Sequence, residues 1–114
     1  MEENCIFCKL IAGEMPVEKL YEDEEVMAFN DINPQAPTHF LVIPKQHIAK
    51  PGEIGDGDEP LVGKLIHRAT RLAHKLGLGN GYRMVINHGD DGGQTVFHLH
   101  VHVMGGRRML WPPG

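Results

Sequence analysis

Several large classes of protein are excluded by what this chain lacks. No apolar run approaches the roughly 20 residues of a membrane-spanning helix, and Met1-Glu2-Glu3-Asn4 opens acidic rather than as a signal peptide. The expectation is a cytoplasmic protein without a membrane partner. Lysine and arginine total 11 against 15 acidic residues, a formal net charge of -4. The basic footprint that duplex nucleic acid requires is therefore missing. There is no P-loop and no glycine fingerprint of a dinucleotide site. Cysteine occurs only at Cys5 and Cys8, too close together for a disulfide that closes a fold. They read as reduced thiols or as metal ligands. Internal repeats, low-complexity segments and linkers are also absent, so residues 1–114 are expected to form one domain, with 106–114 as a C-terminal tail.

What is present centres on Thr95 to Gly106, where His98, His100 and His102 alternate with Leu99, Val101 and Val103. Strict alternation predicts a strand, with Phe97, Leu99, Val101 and Val103 on one face and the three imidazoles on the other. Strand neighbours two apart lie roughly 6.5 Å from each other, so one ion bound by all three histidines would be strained. A row of separate roles fits better. The plainer alternative is a half-buried strand whose polar face carries histidine by chance, which three in register make a poor explanation.

The remaining pattern supplies a setting. Asn4 is placed to cap a short helix whose apolar face is Ile6, Phe7, Leu10 and Ile11, ending near Gly13 and Pro16. Val17 to Tyr21 and Val26 to Asn30 read as a hairpin, with Glu22 to Glu25 as a solvated turn. His39 to Pro44 is a nearly continuous apolar strand. After a loop marked by Pro51, Gly52, Gly55 and Gly57, apolar residues from Leu61 to Leu76 recur at helical spacing. Asp58 or Glu59 suits the start of that helix, Pro60 its first turn and Gly77 its exit, while His67 and His74 fall on the exposed face. Tyr82 to Asn87 reads as a strand that returns through a polar loop to the histidine segment. The expected fold class is α+β: about five mostly antiparallel strands with one long and one short helix.

In this setting His98-Leu99-His100-Val101-His102-Val103-Met104 resembles the histidine triad motif. The likeness extends to Asp31-Ile32, Thr38 to Pro44, Asn87, Gly92-Gly93-Gln94, Gly105-Gly106-Arg107 and Trp111-Pro112-Pro113-Gly114. Nearly the whole chain is similar to the Hint branch of the histidine triad family. The resemblance implies a homodimer that binds purine nucleotides and hydrolyses nucleoside 5'-phosphoramidates, with adenylate joined to an amine or a lysine side chain as the substrate type. His100 corresponds to the nucleophile, forming a nucleotidyl-histidine that water resolves. Alternatives are a nucleotide-binding or protein-interaction module with incidental hydrolysis, and a dinucleoside polyphosphate hydrolase as in other branches.

The residue chemistry is consistent with this, because a neutral imidazole is nucleophilic near pH 7 and adjacent imidazoles cannot all be cationic. His102 is assigned to phosphate contact and proton delivery, and His39 to ordering or charge support of the triad. Asn87, Gln94, Thr95 and the backbone at Gly92 and Gly93 would receive the phosphate. Thr95 stands where the family often has serine. Asp31 would accept from ribose hydroxyls or serve as a turn former, and Ile6, Phe7, Leu10, Phe29 and Ile32 would enclose the base or belong to the core. The zinc-bearing branch implies that His47 and His98 complete a structural Cys2His2 site with Cys5 and Cys8, leaving His100 and His102 for a catalysis that requires no metal. The tail either frays or docks. The resemblance implies that Trp111 reaches the partner subunit and shapes leaving-group selectivity, and Leu110 replaces a polar residue of some relatives.

Overall fold

The computed structural model describes residues 4–114. The first three residues of the expected domain lie outside that range. A short helix α1 (Ile6–Ile11) precedes β1 (Lys19–Glu22), β2 (Val26–Asn30) and β3 (Thr38–Pro44). Two single 3-10 turns then lead into the long helix α2 (Glu59–Lys75), followed by β4 (Tyr82–Val85) and β5 (Val101–Gly105). The strands form one sheet in the order β1-β2-β3-β5-β4, with every pairing antiparallel. This is the expected α+β architecture. Among the described residues no helix is long and apolar enough to cross a membrane.

The apolar run of β3 is explained by burial on both faces. Phe40 and Val42 point with Val26, Ala28, Val101 and Val103 toward Leu61, Leu65, Ala69, Leu72 and Ala73 of α2. Leu41 and Ile43 point the other way, with Met27 and Phe29, toward Phe7, Cys8 and Leu10 of α1. Alternation along β5 places Val101 and Val103 on the α2 side and leaves the imidazole of His102 on the α1 side. The long helix therefore closes the core, and the short helix closes the face that carries the histidines.

Helix α2 starts as its sequence suggests, with Glu59 in the first turn and Pro60 beside it, and carries His74 and Lys75 in the last. Gly77 adopts φ +86° just beyond the end, where the Leu78 N–H reaches back to the Ala73 carbonyl at 2.9 Å. His67 and His74 are exposed, as expected.

Several expectations are corrected. The cap of α1 is Cys5, not Asn4: the Cys5 sulfur accepts from the Cys8 N–H. Ile6 is 42% exposed, so the buried face of that helix is Phe7, Cys8 and Leu10. The acidic turn is not simply solvated. Asp23 accepts from the backbone of Glu25 and Val26 at 2.8 and 2.9 Å and from the Tyr21 hydroxyl at 2.6 Å, and it pairs with Lys64 at 3.1 Å. Partial burial would raise its pKa, but these donors together hold the carboxyl well below the usual range. β4 ends at Val85 rather than Asn87, and the histidine segment enters the sheet only at Val101. Upstream of that point the Leu99 N–H turns to the Ile48 carbonyl at 2.6 Å, and Phe97 is 40% exposed rather than in the core.

Leu65, 1% exposed between α2 and the sheet, marks the centre of the larger core. Leu65→Ala is expected to cost about 2–5 kcal/mol of stability, read as a lowered denaturant midpoint at unchanged slope.

Candidate active site and metal cluster

Four histidines on the α1 side of the sheet have their donor positions set by backbone groups that can only give or only accept a proton, directly for three rings and through His39 for His102. The Gln35 N–H donates to His39 Nδ1 at 3.0 Å, which puts the ring hydrogen of neutral His39 on Nε2. That atom lies 2.9 Å from His102 Nδ1. His102 Nδ1 therefore accepts, and His102 carries its hydrogen on Nε2. His100 Nδ1 lies 2.6 Å from the His98 carbonyl and must donate to it, leaving the Nε2 lone pair free. His98 Nε2 lies 2.7 Å from the Pro44 carbonyl and donates there, so its Nδ1 is the acceptor. The rings of His100 and His102 are 4.8 Å apart between centroids. A free imidazole lone pair thus stands beside an imidazole N–H.

Burial favours these neutral forms. His39 is desolvated, which lowers its pKa against the pull of Asp31. Desolvation lowers His100 as well, despite its bond to the His98 carbonyl. His102 is lowered to about 4, first by burial and then by repulsion from His100 and His39. Asp31 Oδ2 approaches His39 Nε2 at 3.5 Å and His102 Nδ1 at 4.0 Å. Its Oδ1 accepts from the Asn33 N–H at 2.8 Å, so the turn-forming role read from the sequence is present beside the histidines.

The expected base-enclosing residues divide. Phe7, Leu10 and Phe29 are buried together, and Phe7 sets its ring edgewise to His100 at 5.3 Å and to His98 at 5.8 Å. Ile6 is half open, and Ile32 is 99% exposed, so these five residues do not form one enclosure within a single chain.

The loop expected to receive phosphate is held largely by its own polar side chains. Buried Gln94 accepts from the Gly89 N–H at 2.9 Å and donates to the carbonyls of Ala49 and Val96 at 2.8 and 3.0 Å. Asn87 donates to the Gly92 carbonyl at 2.7 Å. Gly92 has no room for a side chain, because a Cβ would lie 2.4 Å from the His88 carbonyl oxygen. Gln94 and Asn87 therefore shape the loop, while Thr95 is exposed. In the tail, Arg83 grips the Leu110 carbonyl at 2.6 Å, and Trp111 remains 83% exposed.

The second constellation is compact. Ligand atoms of Cys5, Cys8, His47 and His98 all lie within 4.8 Å of one another. His98 Nδ1 is 3.3 Å from the Cys5 sulfur, 3.6 Å from that of Cys8 and 3.2 Å from His47 Nδ1. His47 Nδ1 is 3.4 Å from the Cys8 sulfur. Tetrahedral zinc, with bonds of about 2.3 Å to sulfur and about 2.0–2.1 Å to nitrogen, would set S···N edges near 3.6 Å and the N···N edge near 3.3 Å. The four groups fit such an ion, and the His98 Nε2–H bond to Pro44 already aims Nδ1 at its centre.

The sequence did not reveal the groups that set the tautomers. The Gln35 N–H and the carbonyls of Pro44 and His98 are backbone atoms, which leave no residue-type signal.

The HIT domain model matches residues 12–109 of this chain. An uncharacterized HIT-like protein of Synechococcus elongatus is 50% identical over 114 residues, covering both chains completely. Among solved structures, a HIT family hydrolase from Legionella pneumophila superimposes with a TM-score of 0.95 at 50% identity, over 97% of this chain and 100% of that one. A histidine triad nucleotide-binding protein from Candida albicans superimposes with a TM-score of 0.79 at 36% identity, over 88% of this chain and 73% of that one. A match across nearly the whole chain, together with a shared fold, shows that this protein belongs to the HIT family.

Proposed function

We propose that this chain is a purine nucleoside 5'-phosphoramidate hydrolase of the Hint type, with His100 as its nucleophile. The observation that carries the reading is the pairing of a free His100 Nε2 lone pair with the His102 Nε2–H, each set by a hydrogen bond on the opposite side of its ring. The hydrolase and nucleotide-binding descriptions of the related structures support the same class.

In this reading His100 Nε2 attacks the phosphorus, and the bond from phosphorus to the substrate nitrogen breaks. The departing amine takes its proton from the imidazolium form of His102, charged beside the anionic substrate, which returns to the neutral ring. Water then attacks the nucleotidyl-His100 adduct, returning a proton to His102 and releasing the nucleoside monophosphate. His39 maintains the donor tautomer of His102, and Asp31 meets the positive charge that develops on that pair or accepts from the ribose. Backbone amides around Gly93 and the Thr95 hydroxyl face the phosphate, in a loop shaped by Asn87 and Gln94. Phe7, Leu10 and Phe29 floor the base site, with Ile6 and Ile32 at its rim. A second copy of the chain would cover exposed Met84 and Ile86 at the open β4 edge, and the tail carrying Trp111 would reach the partner's leaving-group site.

Cys5, Cys8, His47 and His98 would hold a structural zinc ion. Such a closed four-ligand ion crosslinks α1 to the end of β3 and the start of the histidine segment.

Rapid-quench single turnover with an adenosine 5'-phosphoramidate tests the main reading. The native chain is expected to show an acid-labile nucleotide adduct, and His100→Ala to lose it with at least about a thousandfold fall in turnover. Nucleotide binding without an adduct would instead favour the binding module. Stoichiometric metal analysis of reduced protein is expected to find one zinc per chain, with Cys8→Ser losing it and melting at lower temperature. Because the pKa values of His39 and His102 are lowered in the fold, their contribution to stability is complete above the unfolded value of about 6.5. It is lost as pH falls toward the folded value of His102, about 4. Melting temperature is therefore expected to drop across that window, and His102→Gln to make the drop shallower.

A further inference from the structure

We propose that the Cys5, Cys8, His47 and His98 cluster is a positioning device for the nucleophile, so that filling or emptying it changes the reactivity of His100. The inference rests on the reading of His100 as nucleophile and goes beyond a merely structural ion. Three independent features lead to it.

The first is where the sheet stops. β5 begins at Val101, so His98 and His100 lie upstream of the ladder that registers His102 against Leu41. In that stretch the backbone is tied by the Leu99 N–H to the Ile48 carbonyl. Ile48 directly follows the cluster residue His47, so this tie also depends on where the cluster holds its own loop.

The second is that His98 faces both sites at once. Its Nδ1 belongs to the cluster, and its carbonyl accepts the Nδ1–H of His100 at 2.6 Å. That carbonyl keeps the His100 lone pair on Nε2, the reactive side. Rotating or shifting His98 moves the acceptor and releases His100 to its other tautomer, which puts the hydrogen on the attacking nitrogen.

The third is Phe7, which lies between the two cysteines of the cluster and touches both His98 and His100 edgewise. Holding Cys5 and Cys8 seats Phe7 against the nucleophile. The cluster is also within reach from solvent. A surface cavity of about 370 Å³ is lined by Cys5 and His47 of the cluster, with Thr95 and Phe97 among others, while Cys8 and His98 stay buried behind them.

His98, His47 and the two cysteines are therefore positioning residues that act through His100. The test compares zinc-loaded and chelated full-length protein at one pH. Long-range nitrogen–proton NMR of the imidazoles is expected to show His100 wholly as the Nδ1–H tautomer when loaded and as a mixture when metal-free. Adduct formation at saturating phosphoramidate should fall by about tenfold or more, exceeding the change in AMP affinity. Should chelation unfold the chain, cadmium-loaded protein supplies a folded comparison: its longer bonds displace His98, and the His100 resonances and adduct rate are expected to change while the melting transition persists. A single unchanged His100 tautomer and an unchanged adduct rate in metal-free folded protein, or in the cadmium form, would overturn the proposal. Absence of any adduct in the loaded native chain would instead overturn the phosphoramidase reading, and the tautomer comparison would still decide the coupling.

Discussion

A neutral imidazole has one donor and one acceptor, and at this site each of four rings has one of its nitrogens committed to a neighbour. The Gln35 N–H sets His39, His39 sets His102, the His98 carbonyl sets His100 and the Pro44 carbonyl sets His98. Burial strengthens the arrangement, because charging any of these rings would carry a cation into a poorly solvated face of the sheet. The nitrogens that remain are a lone pair on His100, an N–H on His102 and a lone pair on His98. A free acceptor, a free donor beside it and an acceptor turned toward the two thiols are thus three outcomes of one rule applied along one segment.

The sheet makes that rule enforceable. Its α2 side holds most of the apolar packing, including Leu65, Phe40 and Val103. The opposite side is thinner, closed by the single turn and a half of α1, and polar groups can be placed there without breaching the main core. Phe7, Met27, Phe29 and Leu41 still exclude water beneath the histidines, which is why the rings are desolvated while His102 keeps an open side.

Much of this was legible in the residues. Alternation of apolar and histidine positions located the site, the helical period from Leu61 to Leu76 located α2, and the unbroken apolar run of β3 reflected burial on two faces. What escaped was set by tertiary partners. Asn4 looks like a better cap than Cys5, but the cysteine sulfur is held where the Cys8 N–H can reach it. Alternation continued back to Phe97, yet the ladder begins at Val101, because Leu99 finds its partner in the loop after β3. Asp23 looked like one more charge in an acidic turn until Lys64 and Arg68, more than forty residues later, converged on it. Gln94 and Asn87 carried a motif whose polar atoms turn inward to the loop. Residue type announced that these positions mattered, and the backbone around them decided how.

The separation between Cys5 and His98 along the chain, 93 residues, bears on the order of synthesis. At about 5–20 residues per second, the two thiols leave the ribosome roughly 5–20 s before their deepest partner exists. Until that interval ends α1 has neither His98 to meet nor a sheet completed by β5 to pack against, and its six residues are too few to persist as a helix alone. Helix α1 is therefore made well before the strands that hold it are complete, and the nascent protein carries two unprotected sulfurs until β5 arrives.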